Sequence, residues 1–170
     1  MDLRLRAVEL SDIDRIFEWE NDFSLWNLCS TRTPFSRYAI EDYVKSVQNY
    51  DIYTTKQIRF MIDIIENNDV ITVGCVDLYD LEPDNLRAGV GVLIDTKYRN
   101  MGYASMAIDK LWLYSRDILH LNQLFAHIPE DNISSLRLFS KCGFKETAIL
   151  RQWLRRGDGF IDVKLFQKIK

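Results

Sequence analysis

The amino-acid sequence predicts a mixed α/β (α+β) fold, built on a mostly antiparallel sheet with a central βαβ crossover. Alternating or apolar runs of strand length recur along the chain, and turn signals typical of hairpins separate several of them. Amphipathic helical patterns lie between the other runs. The resulting order, β-α-α-β-β-β-α-β-α-β-β, combines antiparallel hairpins with one helix that connects two parallel strands by a right-handed crossover.

At 170 residues, the chain is expected to form a single domain over residues 1–170. Its 47% hydrophobic and 12% aromatic content predicts a packed core. The net charge of −3 argues against a nucleic-acid partner, and no apolar run approaches the ~18 residues that a membrane span needs. Without a signal peptide or metal-type cysteine spacing, we expect a cytoplasmic protein with no metal site. We expect its three cysteines, Cys29, Cys75 and Cys142, to be reduced and mostly buried.

The first half of the chain begins with a strand and continues with helices. Apolar and basic residues alternate over residues 3–7, as in a half-buried strand. The segment Ser11-Asp-Ile-Asp14 is close to a capping box and precedes an apolar helical face, and Ser36 is a second candidate N-cap. We therefore expect helices at residues 11–21 and 36–47, and irregular connections at residues 25–34 and 50–56.

The second half holds the hairpins and the crossover. Its turn signals are Asn67-Asn-Asp69, Pro83-Asp-Asn85 and Arg156-Gly-Asp-Gly159. Strands are expected at residues 60–65, 71–78, 86–94, 123–128, 144–154 and 160–169. Helices are expected to begin at Gly102 and after the N-cap Asn132, the latter ending at Gly143. Three tryptophans are apolar enough in context to belong to the core: Trp19, Trp26 and Trp153.

One strand, turn and helix together form a candidate anion site. Residues 90–94 are an apolar run, residues 95–100 are a polar turn, and Gly102 opens a helix. The first amides of a helix have no intrahelical partner, and the macrodipole favours negative charge there. Gly102 allows a ligand to approach the backbone, Ala104 keeps the next turn narrow, and Arg99 adds a positive charge. The segment therefore predicts a phosphate-binding loop.

Two motifs give this loop a family context. Arg99-Asn-Met-Gly102-Tyr-Ala104 matches R/Q-x-x-G-x-G/A, and residues 132–144, NISSLRLFSKCGF, are similar to N-x-x-S/A-x-x-L-Y-x-x-x-G-F. In these motifs the chain resembles the GNAT superfamily of acetyl-coenzyme A-dependent N-acetyltransferases. Trp19-Glu-Asn-Asp22 and residues 150–163 resemble the branch that contains ribosomal-protein-alanine and spermidine acetyltransferases.

The resemblance implies an acetyl transfer from acetyl-CoA to a primary amine by direct attack, with coenzyme A as product. In that family the strands that flank the crossover splay apart and the cofactor lies in the opening. A backbone amide near Leu93 would then polarise the acetyl carbonyl. The cofactor-binding residues implied are Val92, Leu93, Ile94, Arg99, Asn100, Met101, Gly102, Tyr103, Ala104, Ser105, Asn132 and Phe139.

The sequence departs from the family pattern at two catalytic positions. The family tyrosine that assists the departing thiolate corresponds to Phe139, and Ser135, one turn earlier on the same helix face, is the candidate substitute. The strand glutamate that often acts as base corresponds to Gly89. A base must then come from another residue or a water chain. The candidate bases are Asp77, Glu20 and His127, each of which could also be an ordinary surface or structural residue.

The acceptor is left open between a polyamine, a protein N-terminus and a small metabolite amine. Residues 66–86 contain six acidic residues and neither Lys nor Arg. They are either ordinary solvated loop residues or an acidic rim, which would slightly favour a cationic acceptor. In the family the irregular segment around Trp26 lies over the acceptor. A second hypothesis is a catalytically weak module that senses acetyl-CoA, and a third is a structural homo-oligomer. The oligomeric state is also open, with a homodimer as one alternative.

Overall fold

The computed structural model describes residues 2–26, 33–67 and 69–170. The strands are β1 (Asp2–Ala7), β2 (Ile58–Glu66), β3 (Asp69–Glu82), β4 (Arg87–Ile94), β5 (Gln123–Pro129), β6 (Lys145–Arg156) and β7 (Gly159–Ile169). The helices are α1 (Ile13–Glu20), α2 (Arg37–Asn49), α3 (Ile52–Thr55), α4 (Tyr103–Asp117) and α5 (Ile133–Lys141). None of the helices in these three ranges is both long and apolar enough to cross a bilayer.

The strands form one seven-stranded sheet in the order β1-β2-β3-β4-β5-β7-β6. Every neighbouring pair is antiparallel except β4 and β5, which are parallel and are connected through α4. The predicted mixed fold, mostly antiparallel with a central βαβ crossover, is therefore confirmed.

The sheet has two covered faces with different contents. On the face covered by α4 and α5, which we call the α4 face, Ile108 and Leu111 are completely buried in the larger core. On the opposite side, the α1 face, Ile16 of α1 and Val44 of α2 pack with Cys75 of β3 in a smaller core. Full burial of such an aliphatic side chain stabilises the fold by about 1.5–3 kcal/mol. The α4 face is therefore covered by an apolar helical layer. The opposite side of the sheet also carries buried charged groups, such as Asp63 of β2.

Local capping confirms two of the predicted helix starts. The Ser36 hydroxyl accepts from the Ala39 amide at 3.1 Å at the start of α2, and the Asn132 side chain accepts from the Ser135 amide at 3.1 Å at the start of α5. The connection predicted at residues 50–56 is wrong. The Asp51 carboxylate accepts from two successive amides there, at 2.8 and 2.9 Å, and caps the short helix α3.

The predicted capping box at residues 11–14 is also wrong. Helix α1 begins at Ile13 and follows a 3₁₀ turn at Leu10–Asp12. The Asp12 carboxylate accepts from the Glu9 amide at 2.9 Å and from Arg6 Nη1 at 2.6 Å. An ion pair to β1 therefore fixes this turn, and a local sequence pattern could not reveal it.

The expectations for core side chains are confirmed in part. Trp19 is buried, Trp26 is half-buried, and Cys75 and Cys142 are free and buried. Cys29 lies outside the described residues. The expectation for Trp153 is wrong, since its side chain is 61% exposed. It lies in the edge strand β6, where the register with β7 is irregular, so neither a helix nor a neighbouring strand covers it.

Candidate active site

The parallel strands β4 and β5 separate after a short paired segment. Only three residue pairs connect them, Arg87 with Gln123, Ala88 with Leu124 and Gly89 with Phe125. Beyond Gly89, β4 remains paired with β3 and β5 remains paired with β7, but not with each other. The result is an opening between β4 and β5 that widens toward the start of α4, as the family resemblance implied.

The backbone of β4 presents alternate residues to this opening. At the end of β4, the Asp95 amide donates to the Val73 carbonyl of β3 at 2.9 Å. Before its start, the Leu86 carbonyl accepts from the Asn122 amide on the side of β5 at 2.7 Å. Neighbouring residues of a strand point their backbone groups in opposite directions. Odd-numbered residues of β4 therefore face β3, and even-numbered residues face β5 or the opening.

The amides presented to the opening are those of Val92 and Ile94. The amide of Leu93, expected to polarise an acetyl carbonyl, points toward β3 because Leu93 is directly paired with Cys75. The Ile94 carbonyl accepts a hydrogen bond from Arg99 Nε at 3.0 Å. The Ile94 amide, in contrast, is directed toward the opening and can donate to a ligand. Leu93 instead contributes an apolar side chain to the smaller core on the α1 face.

The N-terminus of α4 has the properties of a phosphate site. Its N-cap is Gly102, with φ of +86° and no heavy atom within 4 Å of the position that a Cβ would take, so both the conformation and the open space favour glycine. Side chains cap α2, α3 and α5, but no side chain caps α4. The first intrahelical bond runs from the Met106 amide to the Gly102 carbonyl at 3.2 Å. The amides of Ala104 and Ser105 therefore have no intrahelical acceptor.

The residues before Gly102 surround the same helix end. Arg99, Asn100 and Met101 are exposed, and Asn100 has a left-handed backbone with φ of +63°. The bond from Arg99 to the end of β4 holds this loop beside the opening. The chain thus brings residues 99–105 together with the amides of Val92 and Ile94. Such an arrangement of amides and positive charge fits the phosphates and the pantetheine chain of coenzyme A.

Helix α5 lies on the other side of the opening, because it follows the end of β5. The Asn132 oxygen caps this helix and also accepts from the Ser134 hydroxyl at 2.9 Å, so its NH₂ group is the part left for a cofactor. Ser135 is half-buried in the first turn. Phe139 is only 4% exposed and packs edge-on against Phe144, with ring centroids 5.0 Å apart. Phe139 is therefore a core residue as well as the counterpart of the family tyrosine.

Phe139→Tyr is expected to leave turnover unchanged or higher and to lower the melting temperature slightly. The new hydroxyl restores the family donor, whereas a buried hydroxyl without a partner costs about 1–3 kcal/mol. Phe144→Tyr is the matched control, since it adds the same group to a neighbouring buried ring. Thiol release and thermal melting are the measurements. A fall in turnover of more than about tenfold, ~1.4 kcal/mol, for Phe139→Tyr alone would contradict this expectation.

A buried arginine joins two of the candidate bases on the α1 face. Arg59 of β2 donates from Nε to Asp77 Oδ1 at 2.7 Å and from Nη2 to Asp77 Oδ2 at 3.1 Å. Its Nη1 donates to Glu20 Oε1 of α1 at 2.8 Å. The three side chains are 14%, 18% and 23% exposed for Arg59, Asp77 and Glu20. We call them the acidic cluster.

Arg59 is not among the site residues predicted from the sequence, although its position carries a signal. It is a charged residue in a mostly apolar strand and is directly paired with Asp77 in the register of β2 and β3. Burial lowers the pKa of Arg59, but the charge and hydrogen bonds of Asp77 hold that pKa well above its usual value. The guanidinium is therefore charged, and two carboxylates with one guanidinium leave the acidic cluster a net charge of −1.

Side chains of β3 lie across two glycines of β4 on the α1 face. A Cβ on Gly91 would be 3.7 Å from Asp77 Oδ2, so the carboxylate rests over the β4 backbone beside the opening. A Cβ on Gly89 would be 2.3 Å from the ring of Tyr79, which is far closer than atoms can approach. The family glutamate therefore has no space at position 89, whereas the Asp77 carboxylate lies beside Gly91.

His127 lies on the same face, two residues beyond the last β4–β5 pair, and its side chain is exposed. Its ring is edge-on to Phe125 at 5.4 Å. Burial of part of the imidazole lowers the pKa of His127, and the charge of Asp80 raises it only in part. The imidazole is therefore neutral at pH 7 and could accept a proton. Its charged neighbour is Asp80 rather than a carboxylate of the acidic cluster.

The acidic stretch of residues 66–86 is divided between several environments. Asp80 and Glu82 line a groove of about 580 Å³ that also contacts His127. Glu82 is engaged, because Arg87 donates to it at 2.8 Å and Asn85 at 2.7 Å. Asp80 has no ion pair among the described residues. Asp84 lies in the 3₁₀ turn at Pro83–Asn85, away from the groove lining.

Comparison with known proteins agrees with this geometry. Residues 2–145 match the family model described as an acetyltransferase (GNAT) domain. The chain is 27% identical over 169 residues to the uncharacterized N-acetyltransferase p20 of Bacillus licheniformis, which covers 99% of this chain and 93% of the relative. It is 24% identical over 162 residues to a spermidine N(1)-acetyltransferase of Vibrio cholerae, covering 95% of this chain and 90% of that protein.

The fold is also found among solved structures. The crystal structure of spermidine N-acetyltransferase from Vibrio cholerae in complex with CoA and spermine superimposes with a TM-score of 0.85 at 23% identity, covering 98% of this chain and 95% of that chain. Because the family model matches most of the chain, the chain belongs to the GNAT family of N-acetyltransferases, enzymes whose acetyl donor is acetyl-CoA.

Proposed function

We propose that the protein acetylates a cationic primary amine that binds on the α1 face, above Gly91. The observation that carries this proposal is the acidic cluster of Glu20, Arg59 and Asp77, which has a net charge of −1 at the edge of the opening. An ammonium group is attracted to such a site, and partial burial weakens the screening by salt that would apply at an exposed site.

Asp77 is the proposed binding partner and base for the amine. Each carboxylate oxygen has two lone pairs, so Asp77 can accept from an ammonium while it still accepts from Arg59. Arg59 fixes the position of the Asp77 carboxylate through two hydrogen bonds. The proposed role of Asp77 is to place the amine and to accept the ammonium proton before the uncharged amine attacks the thioester. Glu20 provides a second carboxylate for the same charge, beside the half-buried Trp26.

The cofactor side of the opening is assigned to the remaining residues. Acetyl-CoA, when bound, supplies an acetyl thioester that an uncharged amine can attack directly. The amides of Val92 and Ile94 are the proposed donors to the pantetheine chain and the acetyl carbonyl. Residues 99–105 would hold the phosphates and Asn132 the pantetheine. Ser135 is the proposed hydrogen-bond donor near the sulfur, since Phe139 has no proton to give.

A polyamine is the first acceptor to test. The relative from Vibrio cholerae is named as acting on spermidine, and the acidic cluster suits an amine whose other charges remain in solvent. A protein N-terminus and a small metabolite amine are the competing acceptors. The second candidate function is a weakly catalytic acetyl-CoA sensor, favoured by the absence of a hydroxyl at Phe139 and of a carboxylate at Gly89.

The test is thiol release from acetyl-CoA with a panel of amines, measured for the wild type, Asp77→Asn and Asp80→Asn. We expect Asp77→Asn to lower kcat by about 100-fold or more, the range of a general base, because it loses the carboxylate above Gly91. Asp80→Asn is the control, and should change only KM for the amine. With acetyl-CoA saturating, that KM should rise with ionic strength, because exposed charges are screened over about 8 Å.

Two outcomes would redirect the assignment. Coenzyme A binding without thiol release for any amine would favour the sensor. If neither substitution and no change in ionic strength alters turnover, the acidic residues are not part of the acceptor site.

Three further properties of the protein are also proposed. A single sheet that continues from β1 to β6 supports one domain over residues 1–170. The free, buried Cys75 and Cys142 support a reducing compartment such as the cytoplasm. The exposed edge strand β6, which carries the 61% exposed Trp153, supports a homodimer through that edge.

A further inference from the structure

Tyr79 stands at the narrow end of the opening, where β4 and β5 begin to separate. It is directly paired with Gly89 in the β3–β4 register, and Gly89 with Phe125 is the last pair that connects β4 with β5. Residues directly opposite each other project from the same face of a sheet. Tyr79, Asp77 and His127 therefore share the α1 face, on which we place the amine.

The Tyr79 ring lies flat across the backbone of β4. Its Cε2 and Cζ atoms are 2.3 and 2.4 Å from the Cβ position of Gly89, so the ring takes the space of any side chain there. It reaches the neighbouring strand, where its centroid is 6.0 Å from that of Phe125 at an interplanar angle of 85°. Burial raises the pKa of the Tyr79 phenol, and the approach of the His127 backbone amide lowers it in part. The side chain thus spans β3, β4 and β5.

These contacts make the ring an obstacle rather than a mobile cover. The β4 backbone supports one side, and Phe125 meets it edge-on. An amine bound by Asp77 above Gly91 lies two residue pairs farther into the opening than Tyr79. Two residues along a strand correspond to about 6.6 Å. A substituent on the carbon next to the nitrogen would meet the ring if it pointed toward the narrow end.

We propose that Tyr79 determines acceptor specificity, because its ring closes the narrow end of the amine site and excludes amines branched at the carbon next to the nitrogen. This inference rests on the proposed function and sharpens it. A polyamine has a CH₂ group next to its primary nitrogen, whereas the N-terminal nitrogen of most proteins is bonded to a branched carbon. The ring therefore favours the unbranched class among the candidate acceptors.

The test compares two isomeric amines, n-butylamine and sec-butylamine, which have the same charge and differ in branching beside the nitrogen. One misplaced methyl or methylene group in a pocket is worth about 10- to 200-fold in kcat/KM. We expect the wild type to prefer n-butylamine by at least about tenfold and Tyr79→Ala to reduce this ratio by about tenfold or more. Tyr79→Phe, which keeps the ring, should retain the wild-type ratio.

The controls separate specificity from folding. Tyr53→Ala removes a tyrosine that is 62% exposed on α3, and it should leave the ratio unchanged. Stabilisation by coenzyme A shows that each variant is folded, and Tyr79→Leu replaces Tyr79→Ala if the latter does not fold. An unchanged ratio in a folded Tyr79→Ala or Tyr79→Leu, or an equal loss of selectivity in Tyr79→Phe, would overturn the role of the ring. Failure of the wild type to acetylate any amine would instead overturn the proposed function, and this inference with it.

Discussion

Gly102→Trp is expected to abolish coenzyme A binding while the protein remains folded. The space around Gly102 is open, so the indole can be accommodated, but it would occupy the position where the phosphates meet the first amides of α4. In the wild type, a ligand at 100 times its Kd adds about 2.7 kcal/mol of stability. For a chain of this length, that corresponds to a rise in Tm of roughly 5–11 °C. The variant should show no such shift at the same concentration.

Gly157→Trp is the matched control for this experiment. Gly157 also has a positive φ, +56°, and no heavy atom within 4 Å of a Cβ position. Both substitutions therefore impose similar backbone strain, but Gly157 lies in the β6–β7 turn rather than at the N-terminus of α4. Loss of the shift in both variants, or in neither, would contradict the assignment of the phosphate site to α4.

Arg59→Met is expected to cause the largest loss of stability among single substitutions around the site. It removes the cation shared by Glu20 and Asp77 and leaves two carboxylates, each less than a quarter exposed, facing one another. Breaking a buried ion pair by removing one partner costs about 3–5 kcal/mol. The expected decrease in Tm is roughly 6–20 °C, measured by thermal melting. Turnover should also fall, because Asp77 is no longer held above Gly91.

A double variant tests the electrostatic origin of that loss. Arg59→Met combined with Asp77→Asn should recover part of the stability, since only one carboxylate then remains without a cation. Arg87→Met is the control, because the Arg87–Glu82 pair is exposed and such pairs contribute about 0.2–1 kcal/mol. The electrostatic explanation is contradicted if Arg59→Met costs no more than Arg87→Met. It is also contradicted if Asp77→Asn adds to the loss.

Most helices and strands, and the glycine turn before α4, could be predicted because they depend on neighbours in sequence. The caps at Ser36 and Asn132 and the turn around Gly102 require only bonds within about one helical turn. Alternation and helical periodicity likewise report which side of an element is apolar. The amino-acid sequence was therefore sufficient for the fold class and for the turn and helix start that contain residues 99–105.

The acceptor side depends on pairing between strands that are distant in sequence. Arg59 is 18 residues from Asp77 and 39 residues from Glu20, so the acidic cluster exists only after β2, β3 and α1 have packed. The same register determines which β4 amides face the opening. These are the amides of Val92 and Ile94, whereas the amide of Leu93 faces β3. A shift of one residue would reverse every one of these directions.

Packing also decided two features that local sequence patterns did not predict. Tyr79 covers Gly89 because β3 and β4 place them opposite each other, and this explains why the family glutamate has no room. Trp153 is exposed because its strand is at the edge of the sheet. The hydrophobicity of a side chain indicates its tendency to be buried. Whether there is space for that side chain, and whether other residues cover it, depends on neighbouring strands that come together only in the folded chain.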